Sequence, residues 1–287
     1  MSTNLFAVLF GLTSAIVWGG GDFLGGRATR RASVFITLLI AESSGMLLLI
    51  GLAWLWGEAM LTPSQLAWSA AAGVAGLVGL AALYRGLAIG RASLIAPLSS
   101  VIAAACPAVF SALTQGTPGP WRLTGFGLAV VAIWLVSQSN EQSDSQSDGR
   151  TGWPLAVLAG FGFGGFFILI SLAGTGAGSN ATFWPLAIAR AVALPLLLLA
   201  IRQQRISILP PRNVWALAAG SGLLDVGGNA FFLLAAQRGR LDVATVLSSL
   251  YPASTVILSW LLLGERITRI QVLGIGVALV AIGLIAW

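Results

Sequence analysis

Ten apolar stretches of roughly bilayer length limit what this chain can fold into. They run approximately Leu5–Leu24, Val34–Trp56, Leu66–Tyr84, Leu94–Leu113, Trp121–Ser137, Trp153–Leu172, Phe183–Ile201, Val214–Ala236, Val243–Leu263 and Ile270–Trp287. About 20 consecutive apolar residues cross a hydrocarbon core as one helix. The fifth and tenth stretches are the shortest, yet all ten qualify or nearly do. Only 8% of the residues are charged, against about 25% in soluble domains. With a mean hydropathy of +0.92, almost nothing is left over for a soluble domain. The expected class is an all-α polytopic membrane protein with ten transmembrane helices.

The second constraint is an internal offset of 149 residues. Gly239–Trp287 falls on Gly90–Gln138 without a gap: Gly239-Arg240 meets Gly90-Arg91, and Leu247-Ser248-Ser249 meets Leu98-Ser99-Ser100. Gly274 and Gly276 meet Gly125 and Gly127, and Gly222 and Gly228 meet Gly73 and Gly79. Chance matching of Ala/Leu/Gly-rich helices is the alternative, but it does not readily hold one register over several segments. The period is far too long for a solenoid. The expected organisation is a first five-helix repeat over 1–138, a polar linker over 139–152 and a second repeat over 153–287. The linker carries Glu141, Asp144 and Asp148 among Ser and Gln and has no core to bury. Five crossings per half is odd, so the second half enters the membrane upside down. That gives two inverted repeats, an architecture common in secondary transporters.

The net charge of +6 comes from fifteen basic residues, all of them Arg. In a soluble protein this would raise nucleic-acid binding. Here the arginines lie between apolar stretches, so topology accounts for them and no nucleic-acid partner is expected. Loops after the odd-numbered stretches hold eleven Arg and the other side holds three, Arg122, Arg238 and Arg240. That bias places the odd-numbered loops in the cytoplasm and both termini outside. With one cysteine, Cys106, and no His, neither a metal site nor an internal disulfide is indicated. The missing His also removes the usual general base. Without Lys there is no Gly-x-x-x-x-Gly-Lys phosphate loop, so an enzyme is not expected and no cofactor is implied.

A charged side chain near the bilayer centre costs roughly 2.5–3.5 kcal/mol on insertion scales. Four residues break the apolar pattern most: Glu42, Arg190, Asp225 and Asn229, the last one turn beyond Asp225 on the same face. One reading is a central cavity in which Asp225 and Asn229 bind substrate or a coupling proton. The other is a buried ion pair of Arg190 with Asp225 or Glu42 that fixes packing. Asp22, at the end of the first stretch, reads equally as interfacial. Ser99-Ser100 and Ser248-Ser249 form a second polar set with Tyr251; serines also bond their own helix backbone. Trp18 and Tyr84 suit either ligand stacking or an interfacial belt. Gly19-Gly20-Gly21 is expected to weaken the first helix. Pro97, Pro107 and Pro252 are expected to interrupt hydrogen bonding inside the fourth and ninth helices.

Three segments, taken in order, resemble the drug/metabolite transporter superfamily, EamA type: Val17-Trp18-Gly19-Gly20, Leu83-Tyr84-Arg85-Gly86-Leu87-Ala88, and Leu263-Gly264-Glu265-Arg266-Ile267-Thr268. The first half departs from the third motif, with Gln115-Gly116-Thr117 where the second has Gly264-Glu265-Arg266. The resemblance implies a ten-helix inverted-repeat fold with a cavity lined by helices three, four, eight and nine and parts of one and six. It implies cofactor-free movement of small metabolites or drugs. Members of the family commonly keep both termini in the cytoplasm, opposite to the Arg bias. The expected protein is thus a multi-pass secondary transporter, an exporter, of the inner (plasma) membrane, possessing a proton-coupling acid. Its partners would be the lipid bilayer and a small-molecule substrate, and it would be a monomer or homodimer. A receptor-like or scaffold membrane protein that transports nothing is the alternative.

Overall fold

The computed structural model describes residues 2–89, 92–137, 152–175, 180–204, 210–264 and 266–286, without the side chains of residues 2–4, 84, 87–89 and 92–94. The expected linker, apart from Gly152, lies outside the described residues, as do Gly90, Arg91, Arg150, Arg205 and Glu265. The described residues form helices and no strand. In chain order these are α1 (Ser2–Thr29), α2 (Val34–Leu55), α3 (Pro63–Ile89), α4 (Ala92–Gln115), α5 (Pro120–Val136) and α6 (Trp153–Thr175). There follow α7 (Phe183–Gln203), α8 (Arg212–Arg238), α9 (Leu241–Ser248), α10 (Tyr251–Leu263) and α11 (Arg269–Ala286).

Taking α9 and α10 as one span, nine spans are long and apolar enough to cross a membrane. The tenth, α5, has 17 residues, at the lower end of what crosses. Large apolar side chains point outward along the helices: Leu47 is 72% exposed, Trp54 75% and Leu113 81%. Such an exterior is stable against lipid and not against water. The protein is a polytopic membrane protein.

Prolines at three sites have two outcomes. α4 runs unbroken through Pro97 and Pro107. The ninth stretch does break: Ser249 and Leu250 form a turn, and α10 restarts with Pro252 in its first turn. A proline ring clashes with the carbonyl four residues earlier, here that of Ser248, which is where α9 ends. The glycine triplet behaves differently from the expectation. α1 continues through Gly19–Gly21, and the missing side chains admit neighbours instead. A Cβ on Gly19 would collide with Ser254, and one on Gly21 would press on the Ser221 carbonyl.

Close helix contacts recur at the 149-residue offset. Gly125 on α5 lies against Ile285 of α11, while Gly274 on α11 lies against Val136 of α5, the counterpart of Ile285. Gly11 accepts a hydrogen bond from Ser248 Oγ (3.3 Å), and Gly160 lies against the carbonyl of Ser99, its counterpart. Gly228 accepts a hydrogen bond from Ser14 Oγ (2.8 Å), and Gly79 lies against the backbone of Phe163, again the counterpart. Small residues at such crossings let helix backbones approach closely, the main source of attraction between helices in lipid.

Candidate functional site

Eight helices, among them the start of α10, and the α9–α10 turn surround a cavity of about 480 Å³, within the range of small-molecule sites. Its lining extends through Leu38, Leu83, Ala96 and Leu197. These residues lie near the α1–α2 end of their helices, the end that also carries Arg27, Arg30, Arg31, Arg202 and Arg212. The resemblance placed helices three, four, eight and nine around the cavity, with parts of one and six. The structure adds α2 and α7, because these carry Glu42 and Arg190.

Arg190 does not choose between the two acids: it pairs with both. Its Nη1 donates to Glu42 Oε2 at 2.6 Å and its Nη2 donates to Asp225 Oδ2. One guanidinium thereby ties α7 to α2 and to α8. Its side chain is 9% exposed, against 25% for Glu42 and 42% for Asp225. The cation is enclosed and both anions face the cavity. Gly45 makes room for this, since a Cβ there would meet Arg190 Cζ at 3.1 Å. Asn229 Nδ2 donates to the Asp225 carbonyl (2.8 Å) and to Asp225 Oδ2 (3.0 Å). The one-turn spacing read from the sequence is therefore a direct hydrogen bond. A planar guanidinium with two terminal nitrogens suits such bridging, and Lys would not reproduce it.

The remaining expected residues divide. Trp18 lines the cavity and packs against Phe167, Phe232 and Tyr251 at ring-centroid distances of 5.7, 6.1 and 6.2 Å. Gly228 admits the indole. Tyr251 and Ser99 line the cavity too. Ser99 and Ser100 each donate to the Ala96 carbonyl at 2.9 Å, which is side-chain bonding to the backbone of their own helix. Ser248 is buried against α1 and outside the lining, while Ser249 belongs to it. The side chain of Tyr84 lies outside the described residues. Asp22, read as interfacial or functional alike, is in the lining.

At the opposite end the bundle is tied by groups that the apolar pattern does not mark. The Glu58 carboxylate accepts from the backbone nitrogens of Thr182, Phe183 (2.9 Å) and Trp184 (2.7 Å), the start of α7. Trp184 Nε1 returns a bond to the Glu58 carbonyl at 3.1 Å. Gln237 donates to the carbonyls of Gly174 (3.1 Å) and Ala181 (2.9 Å). Arg240 donates to the Gln115 and Gly116 carbonyls at 3.1 and 2.6 Å, at the end of α4, and pairs with the buried Asp242 at 2.7 Å. Anions favour a helix start and cations a helix end, and both preferences are met. Glu58→Ala is expected to lower stability by about 1 kcal/mol, as cap losses do, with Glu58→Gln recovering part. Thermal unfolding followed by tryptophan fluorescence checks this. An unchanged midpoint would show that these amides need no cap.

The family model described as "EamA-like transporter family" matches residues 150–287. No curated protein matches the chain. Among solved structures 29 chains match. One of them, described only as "Crystal structure of protein", has a TM-score of 0.78 over 97% of this chain and 95% of its own. At 15% identity that likeness speaks to the fold alone. The second half of the chain, residues 150–287, is thus similar to the EamA-like transporter family.

Proposed function

We propose that the protein is a secondary transporter of the inner (plasma) membrane that exports small metabolites or drugs by alternating access. In this reading residues 1–138 and 153–287 are inverted five-helix halves joined by the 139–152 linker, in a monomer or homodimer. The observation that carries it is the cavity: it lies inside the bundle, holds the Glu42–Arg190–Asp225 cluster and extends toward the arginine-bearing end, while hydrogen-bonded ties join the helices at the other end. Alternating access needs a site reachable from one side at a time. The reciprocal contacts at the 149-residue offset support two halves that can exchange roles.

Asp225 is the proposed coupling acid. It touches Arg190 and Asn229 and remains 42% open to the cavity, so it can meet solute or proton without leaving its partners. Arg190 is then a positioning residue, as is Glu42, and Asn229 holds Asp225 or the solute. The arginine bias supports a cavity that faces the cytoplasm. The specific support for a non-transporting scaffold is the pairing itself, since Arg190 has both carboxylates satisfied.

Reconstituted proteoliposomes separate the two. Asp225→Asn should fold, keep its bond to Asn229 in altered form and lose transport or its pH dependence. Loss of a charge-assisted hydrogen bond is worth about 1.5–3 kcal/mol, or about 10- to 100-fold in rate. A well-folded Asp225→Asn protein with full transport and unchanged pH dependence removes Asp225 from the mechanism.

A further inference from the structure

We propose that the central cavity selects solutes carrying one positive charge on a flat apolar body, with Asp22 as the carboxylate that receives the charge. This rests on the transporter reading for the statement that such solutes are moved, but not for the statement that they bind.

Charge balance is the first argument. Among the described residues the cavity is lined by three carboxylates, Asp22, Glu42 and Asp225, and by one cation, Arg190. Both terminal nitrogens of Arg190 are already committed to Glu42 and Asp225. An entering anion therefore meets no uncommitted cation and faces an excess of negative charge. Asp22 has no ion-pair or hydrogen-bond partner among the described residues, and its side chain is exposed to the cavity. An ionised carboxylate at membrane depth without a partner is costly. A cationic solute supplies the missing charge.

Shape and surface are the second argument. Trp18 precedes Asp22 by one helical turn, so both lie on one face of α1. Phe163, Phe166, Phe167 and Tyr251 continue the wall. The rings are tilted or edge-on to one another, Trp18 to Tyr251 at 75°, which leaves faces and edges for a planar guest. Aromatic faces beside a carboxylate recognise organic ammonium groups, through ring quadrupole and ion pairing together. Neither feature helps an anion, and a neutral solute leaves Asp22 uncompensated.

Calorimetric titration of the purified full chain with three indoles tests this. Tryptamine, tryptophan and indole-3-acetate share one ring system and are cationic, zwitterionic and anionic at neutral pH. Tryptamine should bind at least about ten-fold tighter than either other probe, a step of about 1.4 kcal/mol. Asp22→Asn should erase that preference and Asp22→Glu should retain it. Asp22 has no ion-pair or hydrogen-bond partner among the described residues, so neither variant breaks a bond between them. Indole-3-acetate binding as tightly as tryptamine, a preference that survives Asp22→Asn, or no binding of any probe would each overturn the proposal. Counterflow of labelled tryptamine in proteoliposomes separates the two readings. Binding without flux keeps the cation site and sinks the transporter. Flux of indole-3-acetate without preference for tryptamine keeps the transporter and sinks the cation site.

Discussion

Arg190→Met is expected to destabilise the protein by about 3 kcal/mol, the low end of what removing one partner from a buried ion pair costs. The substitution leaves Glu42 and Asp225 close together with no cation between them, at a point where α2, α7 and α8 meet. The low end is chosen because both acids open to the cavity, Asp225 by 42%, so water and protons relieve part of the repulsion. The Met side chain replaces the packing of the Arg stem but none of its bonds. Adding Glu42→Gln and Asp225→Asn to Arg190→Met should recover most of the loss, since a neutral set has nothing left unpaired. Unfolding midpoints of the single, double and triple variants in detergent give the coupling. A single Arg190→Met variant as stable as the parent would mean that the three side chains are held by their helices and not by one another.

Gly222→Val should be comparably damaging, at or above about 3 kcal/mol, the top of the usual overpacking range. Its first added carbon would fall on the main chain of Ala41, with the carbonyl carbon and Cα both at 2.6 Å. Backbone on one helix cannot step aside as a side chain can, so α2 and α8 must separate. Gly222 is also three residues before Asp225, so that separation pulls the acid away from Arg190. Gly73, at the 149-residue counterpart, meets the Ala189 main chain in the same way, and Gly73→Val should behave alike. Gly276→Ala and Gly283→Ala are the controls. Nothing lies within 4 Å of a Cβ at either position, and surface changes of this kind stay within about 0.5 kcal/mol. If all four variants unfold together, close helix approach is not what holds these crossings.

Glu42, Arg190, Asp225 and Asn229 were legible in the sequence because polar groups at membrane depth must have partners, and the structure brings all four together. Gly125 and Gly274 were legible as a matched pair at the 149-residue offset, and each admits a neighbouring helix closely. Other features left no such trace. Glu58, Gln237 and Arg240 sit at helix ends, where polar residues are ordinary, so hydropathy gives no reason to single them out. Their roles depend on which distant backbone they reach. Ser248 and Ser249 are adjacent in the sequence, but the turn before Pro252 sends one toward α1 and the other toward the cavity. Pro252 itself ends a helix while Pro97 and Pro107 do not, a difference decided by packing around each site and not by proline chemistry. Asp22 carries no distinct signal, because its position near the end of an apolar stretch is also where an interfacial acid belongs.

The charged site is not itself duplicated. At the 149-residue offset, Arg190, Glu42 and Asp225 correspond to Ala41, Ala191 and Gly76, and Asp22 corresponds to Ser171. On the alternating-access reading, a backbone whose halves exchange roles would have two end states of equal free energy if its side chains were exchanged as well. Here they are not. The balance between the inward-facing and outward-facing populations is then set by the handful of ionisable groups off the pseudo-axis. A proton or a cation bound there would act as a weight on one side of a level beam.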